Sequence, residues 1–66
     1  MTDTADDLKK AATAFRRAET VLANARTRLA DAIRAADADG VRQAEIARIT
    51  GYTRENIRLI VRAPAD

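Results

Sequence analysis

Gln43-Ala44-Glu45-Ile46-Ala47-Arg48-Ile49-Thr50-Gly51-Tyr52-Thr53-Arg54-Glu55-Asn56-Ile57-Arg58-Leu59-Ile60-Val61-Arg62 is the stretch on which the fold turns. Apolar residues recur at helical spacing on either side of Thr50-Gly51-Tyr52, which predicts two short helices, Arg42 to Ile49 and Thr53 to Arg62, joined by a tight turn. Ala47 is small, as two helices crossing near a right angle require, and Gly51 supplies the left-handed residue between them. Thr53 suits the N-cap of the second helix. Tyr52 then precedes the cap and Ile57 is four residues past it, the spacing of a hydrophobic staple that fixes how the chain enters the helix. On this reading Ile46, Tyr52, Ile57 and Ile60 turn inward, while Arg54, Glu55, Arg58 and Arg62 turn outward. Pro64 closes the helix, because Ala63 before it is disfavoured in the α region, and Pro64-Ala65-Asp66 is expected to fray.

Upstream, neither Gly nor Pro occurs from Thr4 to Ala36, and Ala is frequent. Thr4 with Asp7 three residues later is a capping arrangement, and Asp6 and Asp7 suit the positive end of the helix dipole. A single long helix over 4–36 is therefore predicted, about 50 Å in length. The residues that follow it are too few to cover it. Asp37-Ala38-Asp39-Gly40 breaks the pattern as a turn, with Gly40 free to take positive φ.

Along that helix Leu8, Phe15, Leu22, Leu29 and Ala36 recur every seven residues, and Ala11, Ala18, Ala25 and Ala32 follow the first four by three. This is a heptad seam with a large residue at one position and Ala at the other, a pattern that favours left-handed packing against another helix. The two short helices are expected to cover the half from Val21 to Ala36, where Ile33 widens the apolar face. Leu8, Ala11, Phe15, Ala18 and Leu22 are left as a self-association surface, with a solvated or otherwise partnered overhang as the alternative. Parallel and antiparallel stems both satisfy the repeat.

The chain has 66 residues, which predicts one domain with a thin core, since Phe15 and Tyr52 are the only aromatics. Without Cys or His, thiol chemistry, imidazole catalysis and the usual zinc and haem ligand sets are excluded, so neither an enzyme nor a metal or other cofactor is expected. The carboxylates fall on solvated helical faces, and no small-molecule substrate is evident. Met1-Thr2-Asp3-Thr4-Ala5-Asp6-Asp7 lacks the basic-then-apolar order of a signal peptide, and no apolar run suits a membrane span. A cytoplasmic protein without membrane contact is expected. The net charge of +2 conceals an uneven distribution. Residues 1–40 hold seven basic and seven acidic groups, whereas 41–62 hold Arg42, Arg48, Arg54, Arg58 and Arg62 against Glu45 and Glu55. A polyanion would meet this last third first. Charge alone fits equally well a solvated helix built from good helix formers.

In Ile46-Ala47, Thr50-Gly51-Tyr52-Thr53, Ile57 and Ile60 the chain resembles the helix-turn-helix family of DNA-binding transcriptional regulators. The resemblance covers about twenty residues, with the long helix before them fitting the family's three-helix core. It implies that Thr53 to Arg62 is a recognition helix lying in the major groove, with its first residues at base edges. Arg54, Glu55 and Arg58 would read bases, Arg pairing with guanine and Glu accepting from cytosine; Asn56 is a further candidate. Arg42, Gln43, Thr53 and Arg62 would hold phosphates, Gln43 and Thr53 through their places at helix starts. Arg42 departs from the family pattern, since a Ser or Thr cap is common in its slot. It is either a phosphate contact or a tolerated surface residue. Tyr52 offers its ring to the core or its hydroxyl to a phosphate.

The expected protein is all-α, with a long N-terminal helix followed by a helix-turn-helix at 41–62, three helices in total. It would act as a homodimer on paired half-sites of double-stranded DNA, one or more helical turns of about 34 Å apart, repressing or activating transcription or marking a plasmid or phage site. The competing expectation is a coiled-coil interaction module or adaptor that reads no DNA.

Overall fold

The computed structural model describes residues 3–63. Three helices follow one another, α1 (Thr4–Ala38), α2 (Gln43–Thr50) and α3 (Arg54–Arg62). The expected all-α, three-helix architecture is therefore present. The molecule measures 59 × 25 × 16 Å, a shape set by α1 running well beyond the head that α2 and α3 build at its C-terminal end.

The start of α1 corrects one expectation. Asp3, not Thr4, is the N-cap: its backbone is extended and its carboxylate accepts from the Ala5 N–H at 3.0 Å. A short acidic side chain there supplies both an acceptor and a negative charge to the helix start. Thr4 is already helical, and Asp6 and Asp7 lie in the first turn. The helix also runs two residues past Ala36, because Asp37 and Ala38 continue the bonding until Gly40 closes it. Gly40 has φ 90°, its N–H bonds to the Asp37 carbonyl at 3.1 Å, and the Val41 N–H bonds to the Ala36 carbonyl at 3.0 Å. Those two bonds form a Schellman closure, in which the left-handed residue satisfies orphan carbonyls at the helix end.

The short helices begin one residue later than expected, after Arg42 and Thr53, and α2 ends at Thr50. Thr50 joins α2 to the turn: its hydroxyl donates to the Ile46 carbonyl at 2.8 Å and accepts from the Tyr52 N–H at 3.1 Å. Gly51 follows with φ 77°. The Thr53 hydroxyl then accepts from the Asn56 N–H at 3.1 Å, the predicted cap of α3. At the far end Ala63 is extended, with φ −75° and ψ 133°. The predicted stop at Pro64 and the frayed Pro64-Ala65-Asp66 lie outside the described residues, as do Met1 and Thr2.

Each helix contributes one isoleucine to the core: Ile33, Ile46 and Ile57 are buried, Ile57 completely. Leu29, Ala36, Ala47, Tyr52, Ile60 and Val61 pack around them. Tyr52 thus places its ring against the core and completes the staple with Ile57. Coverage of α1 is shorter than the sequence predicts. Val21 is 67% and Leu22 50% exposed, and Leu29 is the first α1 residue packed on the core. Helices of 8 and 9 residues are only about 12–14 Å long and reach little more than two turns of α1.

Candidate nucleic-acid interface

Helix α3 is fastened on three sides. Its inner face is sealed by Ile57, with Ile60 and Val61 beside it. Its first turn is capped by Thr53. Its last turn is held from across the molecule by Arg34 on α1, whose Nε donates to the Ile60 carbonyl at 3.1 Å and the Ala63 carbonyl at 3.2 Å. Those carbonyls belong to the set that a helix end leaves without an internal partner, and a cation is favoured there by the dipole. Asp31 steadies the same guanidinium at 3.0 Å. Sequence reasoning missed Arg34, which is one of several arginines on α1 with nothing local to mark it.

The outer face of α3 carries Arg54, Glu55, Arg58 and Arg62, all exposed, as expected. Asn56, the further base-reading candidate, is exposed as well. Glu55 and Arg58 are not independent: the Arg58 guanidinium donates to the Glu55 carboxylate one helical turn away. Both groups are more than half exposed, so the pair is worth no more than about 1 kcal/mol and exchanges readily for another partner. Among the described residues, Arg42, Arg54 and Arg62 have no carboxylate within 4.0 Å. Leu59 sits between these charges, 55% exposed, and was also missed. In the sequence it stands beside the inward Ile60 and Val61, so its exposure shows only once α3 is docked on the core.

The phosphate-binding candidates cluster at helix starts. Arg42 is the N-cap of α2, extended and without a side-chain cap hydrogen bond, so the first N–H groups of that helix stay open. Gln43 is half-buried as the first residue of α2. Thr53 spends an acceptor lone pair on the Asn56 N–H and keeps its hydroxyl proton for donation. On α2, Arg48 and Glu45 are tied together, Arg48 Nε donating to Glu45 Oε1 at 3.1 Å. That hydrogen bond, against opposing desolvation and with a smaller contribution from the Arg48 charge, holds the Glu45 carboxyl below its ordinary value of 4.5. The pair cancels locally and leaves the positive excess on α3 and Arg42.

The dimerisation candidates lie apart from this face. Leu8 is 70% and Phe15 64% exposed, and Ala11, Ala18 and Leu22 are exposed beside them. Among the described residues no group of three or more His, Cys, Asp or Glu side chains stands close enough to hold a metal ion. None of the described helices is long and apolar enough to cross a membrane. Compared with protein-family models, with curated proteins and with solved structures, the chain gives no match.

Proposed function

We propose that the protein binds double-stranded DNA sequence-specifically through α2 and α3, as a small cytoplasmic homodimeric transcriptional regulator of the helix-turn-helix kind. One observation carries the reading: α3 is anchored along its inner face and at both ends, while Arg54, Arg58 and Arg62 on its outer face stand in solvent. A reading helix needs that combination, because side chains aimed at base edges lose discrimination when their backbone shifts. Arg54 and Arg58 take guanine, Glu55 accepts from a cytosine amino group, and Asn56 reaches a flanking base. Leu59 supplies apolar contact of the sort a thymine methyl group accepts. Arg42, Gln43, Thr53 and Arg62 hold phosphates and set the register. The protein is no enzyme on this reading and uses no cofactor.

Selection of bound duplexes from a random library gives the site, and fluorescence anisotropy on that site gives the affinities. Arg54→Ala or Arg58→Ala costs about 1–3 kcal/mol and flattens preference at one base pair of each half-site. With Arg42 and Arg62 of both protomers on phosphate, log K falls with log salt at a slope of about −4. Arg42→Ala reduces that slope by about 2 in the dimer without changing the preferred sequence. A slope shallower than about −1, or equal affinity for selected and scrambled duplexes, overturns the proposal.

A second reading, an interaction module without DNA readout, is favoured by the exposed Leu8 and Phe15. Phe15→Asp separates the two. Loss of the dimer together with loss of DNA binding supports the regulator, whereas a monomer that still binds DNA leaves the seam for another partner.

A further inference from the structure

The exposed seam of α1 holds more than an invitation to pair. Leu8, Phe15, Val21 and Leu22 are each at least half exposed, and Ala11, Ala18, Ala25 and Ala32 along the same helix are open too. The seam does not stop where the head begins. It runs into an open apolar notch of about 210 Å³ between α1 and α2, walled by Ala32, Ile33, Val41, Ile46 and Ile49. Ile49 stands 67% exposed at its rim.

Building on the self-association proposed above, we infer that two copies pair antiparallel along the whole of α1 about a two-fold axis at Thr20, each inserting Leu8 into the notch of the other. The first argument is steric. A parallel pair sets Phe15 on Phe15 and Ala11 on Ala11, so the two backbones would have to separate and approach at every layer. The antiparallel register sets Leu8 against Ala32, Phe15 against Ala25, Leu22 against Ala18 and Leu29 against Ala11. Each layer then holds one large and one small side chain, and the spacing between the helices is uniform.

The second argument is electrostatic and selects the register independently. Glu19 and Arg26 flank the seam on the same side, both exposed and, among the described residues, without ion-pair partners. Side chains lean toward the N-terminus of their own helix. With the axis at Thr20, Glu19 of one copy and Arg26 of the other lie about 7.5 Å apart along the stem and lean toward each other, twice over by symmetry. Sliding one copy by a heptad puts the two Glu19 side chains in one direction, or the two Arg26 side chains in the other, about 7.5 Å apart and leaning together, whereas with the axis at Thr20 the two Glu19 side chains, about 3 Å apart along the stem, lean away from each other. A parallel stem sets Glu19 beside Ala14 and Arg26 beside Val21, with nothing to gain. The chosen axis also brings Val21 onto its own counterpart. The two heads then lie about 39 Å apart along the stem, taking Ile33 as their centre. This is close to the 34–36 Å between major-groove faces one DNA turn apart.

The chain has no cysteine, so single cysteines report geometry cleanly. Val21→Cys and Ala11→Cys chains are oxidised mildly and run on non-reducing gels, beside sedimentation of the unaltered chain. Most of the Val21→Cys chain should link to its own copy, and almost none of the Ala11→Cys chain. Both residues are exposed, so the substitutions leave the head intact. Linking through Ala11→Cys instead establishes a parallel stem and refutes the inference while leaving dimeric DNA binding standing. Failure of both to link in a chain that sediments as a dimer refutes this register. A monomeric chain refutes the register and the homodimer together. A Val21-linked dimer indifferent to DNA sequence supports the register and sinks the DNA reading alone.

Discussion

Arg34→Ala is the substitution that best tests how α3 is positioned. The Arg34 side chain is 26% exposed and makes two hydrogen bonds to the end of α3, at 3.1 and 3.2 Å, with the Asp31 carboxylate at 3.0 Å behind it. A hydrogen bond from a charged donor contributes about 1.5–3 kcal/mol, and a cation at a helix C-terminus about 0.3–1 kcal/mol, before allowing for solvent. A shared donor at a partly exposed site puts the loss near 1.5–2.5 kcal/mol. In a domain of this size that lowers Tm by about 6–20 °C. The assay is tyrosine fluorescence during a thermal melt, since Tyr52 is the only tyrosine, Trp is absent, and its ring packs on the core of the head. Protein concentration is held constant, because self-association moves Tm. Asp31→Asn removes only an exposed ion pair and should cost no more than about 1 kcal/mol. In DNA binding, Arg34→Ala weakens affinity for the selected site although Arg34 is not among the residues proposed to touch DNA. If Arg34→Ala melts within about 2 °C of the parent, or Asp31→Asn is equally damaging, the clamp is refuted.

Ile57→Ala removes the one side chain that is fully buried among the described residues, at a cost of about 2–5 kcal/mol. A core this small rarely supplies more than about 3–5 kcal/mol, so the head should be unfolded at room temperature while α1 retains helical circular dichroism through the proposed pairing; a cooperative tyrosine transition near the parent's Tm refutes this. Glu45 has its folded pKa depressed, so its contribution to α2 is present above the ordinary value of 4.5 and is lost as pH falls through the lower folded value. In an NMR titration the Glu45 carboxyl has its midpoint below 4.5, and Arg48→Gln moves it back toward that value; an unmoved midpoint removes Arg48 as the cause.

Most of the candidate interface was legible because its determinants are local. Thr53 caps α3 through Asn56, three residues on, and the Tyr52–Ile57 staple spans five residues. Gly51 turns the chain where a positive φ is needed. The outward set Arg54, Glu55, Arg58 and Arg62 follows from helical periodicity once Ile57 and Ile60 face inward. The Thr4 cap was misjudged for a local reason too. Asp3 and Thr4 are both capping residues one position apart, and the choice depended on which backbone stays extended, a difference of one residue that sequence patterns resolve poorly. Leu59 was passed over because an apolar residue beside Ile60 and Val61 reads as core until the helix is oriented.

The sequence by itself determined three helices, the turn between the last two and the charged face of α3, since each rests on bonds and spacings within a few residues. Only the tertiary structure decided that the head reaches α1 no earlier than Leu29, that Leu59 faces solvent, and that Arg34 holds carbonyls 26 and 29 residues further along the chain. These depend on where separate helices come to rest against one another. That docking follows from the shape of the buried Ile33, Ile46 and Ile57 together, and no local spacing encodes it.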